Sequence, residues 1–485
     1  MRPISVGSLI LALRRSRGTV PGVSHSLFKH SECRPRVLKT FSFRLAFILH
    51  VSICTSSGYA ETLDGLDKTP VEIKLTDRVP YGREPVDYFG MESHDAVSEL
   101  QKRLESGTVG LSAHNRFGYL LSVAELLDVP LESQLLVYSK TARAPALVNP
   151  ATPRAVFFND EVSVAWIPGA RELELTAIDP VKGVICYTLS QPLDASPEEP
   201  ATAKTDGKAT PLFQRRNGCL ACHSARSSLE VPGLLLRAFE TDKTGKPIMG
   251  FSRVSHDMTY ERRWGGWYVT GAPLSVIHRG NLARQSEDTD QQRPPVSAST
   301  LSDLSQKLDE NAYPYPASDF VAHLVMAHQA HGTNLLIRAG LEARLNRRSD
   351  VETQLVRYFV FADEPSLDLT PSVATSVLRD SEFAKTFVRR GRRDAAGNSL
   401  RDLTLAGRVF KHRLSFLIHS RLFDELPDEC RRRLLERLWA GLNSQPDDEQ
   451  FGHLRTHERQ SLIAIVRATV PRLPGCWQEG PTSKF

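Results

Sequence analysis

The 485-residue chain is poor in cysteine, methionine and tryptophan, with 7, 5 and 5 of each. Its first 60 residues hold one acidic side chain, Glu32. No apolar run reaches the roughly 20 residues of a membrane-spanning helix, so the chain beyond its leader is expected to have no transmembrane span. There is no phosphate-cradling glycine loop, no Ser/His/Asp signature and no internal repeat, which removes nucleotide-dependent, serine-hydrolase and solenoid classes. A second Cys-x-x-Cys is missing too. A structural zinc site would therefore lack its other pair of ligands.

What the chain does have is the pentad Cys219-Leu220-Ala221-Cys222-His223. This is the attachment pattern of c-type haem: two thiols one short turn apart reach the two vinyl groups, and the next histidine lies under the iron. With 7 Cys and 15 His in the chain, random placement gives roughly 0.003 such pentads, so chance is a weak rival. A thioredoxin-like redox pair is the other chemical rival, and it would want a βαβ setting around the motif.

Haem c is attached outside the cytoplasm, and the N-terminus bears on that. Residues 1–60 carry nine Lys or Arg, followed by the apolar run from Leu45 to Cys54 and small residues up to Ala60. This is the order of a secretory signal, with Gly58 and Ala60 at the −3 and −1 places of a cleavage site. A mitochondrial transit peptide is the alternative. Residues 1–60 hold a net +8 while the whole chain is +5, so the remainder carries −3. The basicity is targeting and not a nucleic-acid footprint. A periplasmic location is expected. Of the cysteines left, Cys430 and Cys476 either pair in that oxidising compartment or stay as buried thiols.

The pattern predicts an α+β fold, with a mainly β haem-bearing half followed by a helical half. After the 1–60 leader, residues 61–190 read as an α+β piece. Helical spacing at 93–105 and 115–127 is followed by strands at 134–139, 155–159, 162–167, 172–178 and 183–190. Residues 191–210 read as a linker, 211–285 as the haem segment, 286–300 as a second linker and 301–485 as helices. The haem segment contains a hairpin, 231–239 with 247–254, and a third strand at 264–270. Arg215 and Arg216 are either propionate partners or solvated arginines. Trp264, Trp267 and Tyr268 line a porphyrin edge or fill a sheet core. Helices are expected at 301–308, 319–346, 350–361, 381–390, 400–420, 428–442 and 454–470. The cluster Arg389-Arg-Gly-Arg-Arg393 is a solvated loop or a dock for an acidic redox partner.

Several stretches resemble a group of large exported bacterial proteins of planctomycete-type genomes, described as cytochrome c domain-containing proteins. They are Ser139-Lys-Thr-Ala-Arg143, Asn149-Pro-Ala-Thr-Pro-Arg-Ala-Val-Phe-Phe-Asn-Asp160, Tyr187-Thr-Leu-Ser-Gln191, the pentad, Arg263-Trp-Gly-Gly-Trp-Tyr-Val-Thr-Gly271 and His278-Arg-Gly-Asn281. The similarity runs over roughly 90–440. It implies one covalent haem at Cys219 and Cys222 with His223 on the iron, and no substrate.

The sixth iron ligand is open. Met249, Met258, His256 and His278 follow the pentad, and the helical stretch 319–331 bears His323, Met326, His328 and His331. A filled sixth site makes an electron carrier with an unidentified redox partner protein. An open one makes a haem enzyme, peroxidase-like, or a haem-based sensor or binding protein.

Overall fold

A computed structural model describes residues 70–192, 212–283 and 301–478, apart from 306, 446 and 447. The expected leader at 1–60, the second linker at 286–300 and nearly all of the first at 191–210 lie outside these residues.

The fold is α+β, with most strands in the first half and most helices in the second. A two-residue strand β1 (Val71–Glu72) pairs with β11 (Arg347–Arg348). Helices α1 (Ala96–Glu105) and α2 (Leu120–Leu126) come next. Asp95 caps α1, accepting from the backbone N–H of Val97 at 2.9 Å and Ser98 at 3.1 Å, as N-cap aspartates do.

Strands β2 (Leu135–Val137), β3 (Arg154–Phe158), β4 (Val162–Trp166), β5 (Glu172–Asp179), β6 (Gly183–Ser190) and β7 (Gln214–Arg215) follow in chain order. Together with β10 (Trp267–Tyr268) they form a seven-stranded antiparallel sheet in the order β10-β2-β3-β4-β5-β6-β7. Strict alternation of side chains divides its central strands into two faces. Ala155, Phe157, Val162, Val164, Trp166, Leu173, Leu175 and Ala177 are buried, and α1 and α2 pack on β5 and β4 on this side. The opposite face carries Arg154, Val156, Ser163, Ala165, Glu174 and Thr176, all half-buried. The register aligns them in cross-strand rows, Val156 with Ala165 and Glu174, and Ser163 with Thr176 and Cys186.

The hairpin forms as β8 (Arg237–Thr241) with β9 (Pro247–Arg253). The third strand does not join it in a ladder. Trp267 pairs with Val137 instead, making β10 the edge of the large sheet. Between β7 and β8 lies the short helix α3 (Leu220–His223), entered through a 3₁₀ turn at Asn217–Cys219.

Helix α4 (Phe320–Arg344) is the pin of the structure. Capped by Asp319, it is buried on every side from Phe320 to Glu342, the state of a helix enclosed by other elements. Around it pack α5 (Val351–Phe359), α7 (Glu382–Arg389), α8 (Arg421–Asp424) and α9 (Asp428–Leu442). Helix α6 (Pro371–Asp380), absent from the sequence reading, starts from Thr370 with proline at its first position, a start signal legible in the residues. Helix α10 (Thr456–Thr469) closes the series. The segments expected at 61–190, 211–285 and 301–485 share one continuous core that runs from Val79 to Trp477.

Two expected helices do not form. Leu301 makes an isolated bridge with Thr270, and only a turn follows it. Across 400–420 the chain is irregular, with bridges Leu403–Phe410 and Leu367–Gly407 and a 3₁₀ turn at Phe416–His419. Leu405 (φ +54°) and Gly407 (φ +76°) are both left-handed, which an α-helix does not tolerate. The apolar residues there fill the core from an irregular backbone. Cys430 and Cys476 are not joined by a disulfide; Cys430 is buried, with its thiol 3.9 Å from the Ala339 carbonyl.

Candidate functional site

The pentad is tied to the edge of the large sheet. Arg215 pairs with Tyr187, and the Arg216 N–H donates to the Cys186 carbonyl at 2.8 Å. The next turn carries Cys219, Leu220, Cys222 and His223 over the half-buried face of the sheet, with Leu220 anchored in the core. A cavity of about 380 Å3 lies between them, in the usual size range of cofactor sites. Cys219, Cys222 and His223 all line it. Its floor is the cross-strand rows described above, where Ala165, Ser163 and Thr176 leave room that larger side chains would fill.

His223 is held by a reciprocal clasp. Leu229 (φ +61°) and Glu230 (φ +57°) turn the chain back on itself, so that the Gly233 N–H meets the His223 carbonyl at 2.9 Å. The Gly233 carbonyl in turn lies 2.9 Å from His223 Nδ1. A carbonyl only accepts, so Nδ1 carries the proton and Nε2 keeps its lone pair. Burial pushes His223 down to about 4, leaving a neutral imidazole able to bind a metal. Asn334 on α4 secures the returning segment, accepting from Leu234 N–H at 2.7 Å and donating to its carbonyl at 3.0 Å. A Cβ on Gly233 would stand 2.5 Å from Asn334 Oδ1, so only glycine fits there.

Each thiol has its own arginine, Arg143 beside Cys219 and Arg237 beside Cys222. Cys186 shares the cavity wall with Cys219; that neighbour and Arg143 favour the Cys219 thiolate, while the same neighbour and burial hold the proton on Cys186. Arg154 bridges to Glu174 at 3.3 Å. The Nε atoms of Arg154 and Arg237 are buried with no hydrogen-bond partner. Such orphaned donors at a cavity wall suit an anionic ligand, and propionates are anions. The site therefore fits a haem in its thiols, its imidazole and its spare cationic donors.

Other expected residues lie elsewhere. Arg215 sits over the Tyr88 ring at 4.6 Å and Arg216 pairs with Glu172 at 2.8 Å. Neither lines the cavity; Arg143, Arg154 and Arg237 do. Trp267 lines it, donating to the Arg237 carbonyl at 2.8 Å, whereas Trp264 is core, edge-on to His278. The Tyr268 hydroxyl donates to the Pro150 carbonyl at 2.8 Å. His256 and His328 are hydrogen-bonded through their Nδ1 atoms at 2.7 Å, and His328 Nε2 reaches Ser415 at 2.7 Å. His323 meets the Tyr268 carbonyl at 2.8 Å, His331 takes a bond from Arg253 at 3.0 Å, and His278 Nδ1 accepts from Gly280 at 3.0 Å. None of these histidines lines the cavity, nor does Met258, and the Met249 side chain is outside the described residues. Met326 on α4 does line it, buried to 6 % exposure.

Among the described residues no three His, Cys, Asp or Glu side chains are grouped to hold a metal ion. The antiparallel sheet gives a thioredoxin-like pair no βαβ setting. In the basic cluster, Arg390 pairs with Asp128 at 2.7 Å and Arg393 with Asp402 at 3.1 Å. Among the described residues no helix is long and apolar enough to cross a membrane. Comparison with protein-family models, with curated proteins and with solved structures yields no match.

Burial of imidazoles predicts a pH dependence. His223, His256, His278, His323, His328, His331 and His419 are all pushed below the usual value of 6.5. The unfolded chain then binds more protons than the folded one as pH falls through 6.5, and stability is lost. The carboxyls of Asp95, Glu161, Asp319 and Glu364 are raised by burial and act in the opposite sense, so the histidines set the sign by number. Urea midpoints are expected to drop steadily from about pH 7.5 to pH 5, with each linked histidine contributing up to about 1.4 kcal/mol per pH unit. A flat profile would contradict neutral burial.

Proposed function

We propose that the chain is an exported mono-haem c-type cytochrome acting in electron transfer, with one haem c tethered through Cys219 and Cys222. The observation that carries this reading is the clasp at Gly233. It fixes the tautomer of His223 so that Nε2 is free to bind iron, in a cavity that both thiols of the pentad also line. Bound there, haem supplies one-electron exchange at its iron. The chain's own part would be to bury the group, fix its ligand and pair its propionates, a role that Arg143, Arg154 and Arg237 on the cavity wall would take. Export to the periplasm rests on the basic, then apolar, then small-residue order of the leader, and on the resemblance to exported cytochrome c domain-containing proteins. A redox partner protein belongs to this reading.

Met326 is the candidate sixth ligand. Apart from His223, it is the sole thioether or imidazole among the described residues that line the cavity. A second reading, a haem enzyme with an open sixth site, is favoured by the Arg154–Glu174 pair on the cavity floor, where acid–base groups would meet a bound molecule.

The test is a visible spectrum of the ferrous chain, made in a host that attaches haem c, with and without carbon monoxide. A c-type spectrum unchanged by the gas is expected, and Met326→Ala should then acquire a carbon monoxide shift. A shift in the unaltered protein would move the reading to the haem enzyme, with peroxide turnover as the next assay. Absence of covalent haem would sink both.

A further inference from the structure

The pentad holds two thiols, yet the cavity wall holds three. Cys186 lies on β6 in register with Thr176, hence on the cavity face of the sheet. The bond from the Arg216 N–H to the Cys186 carbonyl, 2.8 Å, draws the incoming chain against this strand. One turn later the Cys219 N–H meets the Arg216 carbonyl at 3.1 Å, which returns the Cys219 side chain to Cys186. Cys186, Cys219 and Arg143 all line the same cavity, and the charge of Arg143 acts on the Cys219 thiol. Cys222 is on the far side of the same turn, exposed and beside Arg237.

We infer that Cys186 is a third thiol of this site and that, before haem is attached, it forms a disulfide with Cys219 in preference to a Cys219–Cys222 bond. The oxidant is a disulfide, protein or small molecule. The Cys219 thiolate attacks one of its sulfurs, forming a mixed disulfide and releasing the other half as a thiolate. Cys186 gives up its proton to that leaving thiolate and attacks the Cys219 sulfur, expelling the second half, which takes a proton from water as Cys219 gave one. The two cysteines lose two electrons and two protons, and the oxidant becomes two thiols. Cys219 is suited to begin because its thiolate is favoured and partly accessible, while Cys186 is buried beside it. While this bond stands, Cys219 cannot form a thioether. That consequence rests on the proposed haem site; the bond itself does not.

The experiment uses the full chain exported from a host without haem attachment. It is alkylated under denaturing, non-reducing conditions and mapped by peptide mass. The expected map links Cys186 to Cys219 and shows Cys222 alkylated. A Cys219–Cys222 link, or all three alkylated after treatment with glutathione disulfide, would overturn the inference. In a host that attaches haem, Cys186→Ser is expected to remove the gain in loading that added reductant gives the unaltered chain. The map of the unaltered chain stands even where that variant folds poorly. A chain that shows the Cys186–Cys219 bond yet takes up no haem after reduction defeats the haem reading alone. One that loads haem while linking Cys219 to Cys222 defeats this inference alone.

Discussion

The double variant Cys219→Ser, Cys222→Ser is expected to lose all covalently held haem while keeping the fold. Thioether formation needs a sulfur at each position, and serine supplies none. Each single variant keeps one thioether, so its haem should stay with the denatured chain but with an altered pyridine spectrum. The fold should survive because neither thiol is a fully buried core group: Cys222 is exposed and Cys219 half-buried. Serine at such positions costs within about ±0.5 kcal/mol in most proteins. Whole-chain mass under denaturing conditions, with and without the haem increment, reads the result directly. If the double variant still carries haem after denaturation, the pentad is not the attachment site. His223→Ala separates the remaining role, since tethering should persist while the iron's ligand field changes.

The second large effect concerns Arg338 on α4. It is fully buried, pairs with Glu342, and donates to the carbonyls of Asp77 at 2.8 Å, Leu229 at 2.8 Å and Lys74 at 3.0 Å. One planar fork thus joins the N-terminal segment, the loop after the pentad and the helical half. Arg338→Ala leaves the buried Glu342 carboxylate with bonds from Ser349 alone and takes a donor from three carbonyls, and breaking such a pair costs about 3–5 kcal/mol. Against a total stability of about 5–15 kcal/mol this is a large share, and urea unfolding should show it as a clear drop in midpoint. Arg338→Lys should recover little, because a point charge cannot reach three divergent carbonyls. Removing both partners, as Arg338→Met with Glu342→Leu, should be milder than Arg338→Ala. Leu229 stands in the turn that brings Gly233 back to His223, so Arg338→Ala should also loosen haem ligation. A loss below about 1 kcal/mol would mean that the network is not a pin.

Much of the architecture was readable from period alone. The five strands between 134 and 190 fall where alternation places them, and α9 occupies the expected 428–442. Strands are legible when one face is core and the other is not, and β3, β4 and β5 are of that kind. The stretch 400–420 misled because its apolar residues are dense but its backbone includes left-handed positions, which composition does not announce. Thr370-Pro371, a cap followed by proline at the first helical position, is a start signal for α6 that the residues do carry.

For the candidate site, the sequence by itself singled out the three pentad residues, whose spacing within one turn is the pattern on which the haem proposal rests. It also determined that the chain would divide into a sheet half and a helical half, because periods of two and of 3.6 are local properties. The tertiary structure alone decided what faces the pentad. Arg143, Arg154, Glu174, Cys186, Trp267 and Met326 come from four strands, a loop and a helix, brought together by sheet register and by the burial of α4. Only the tertiary structure placed Arg215, Arg216 and the sequence-nearest histidines away from the cavity. Which side of a strand meets a given cavity depends on partners far along the chain, and no local pattern encodes them.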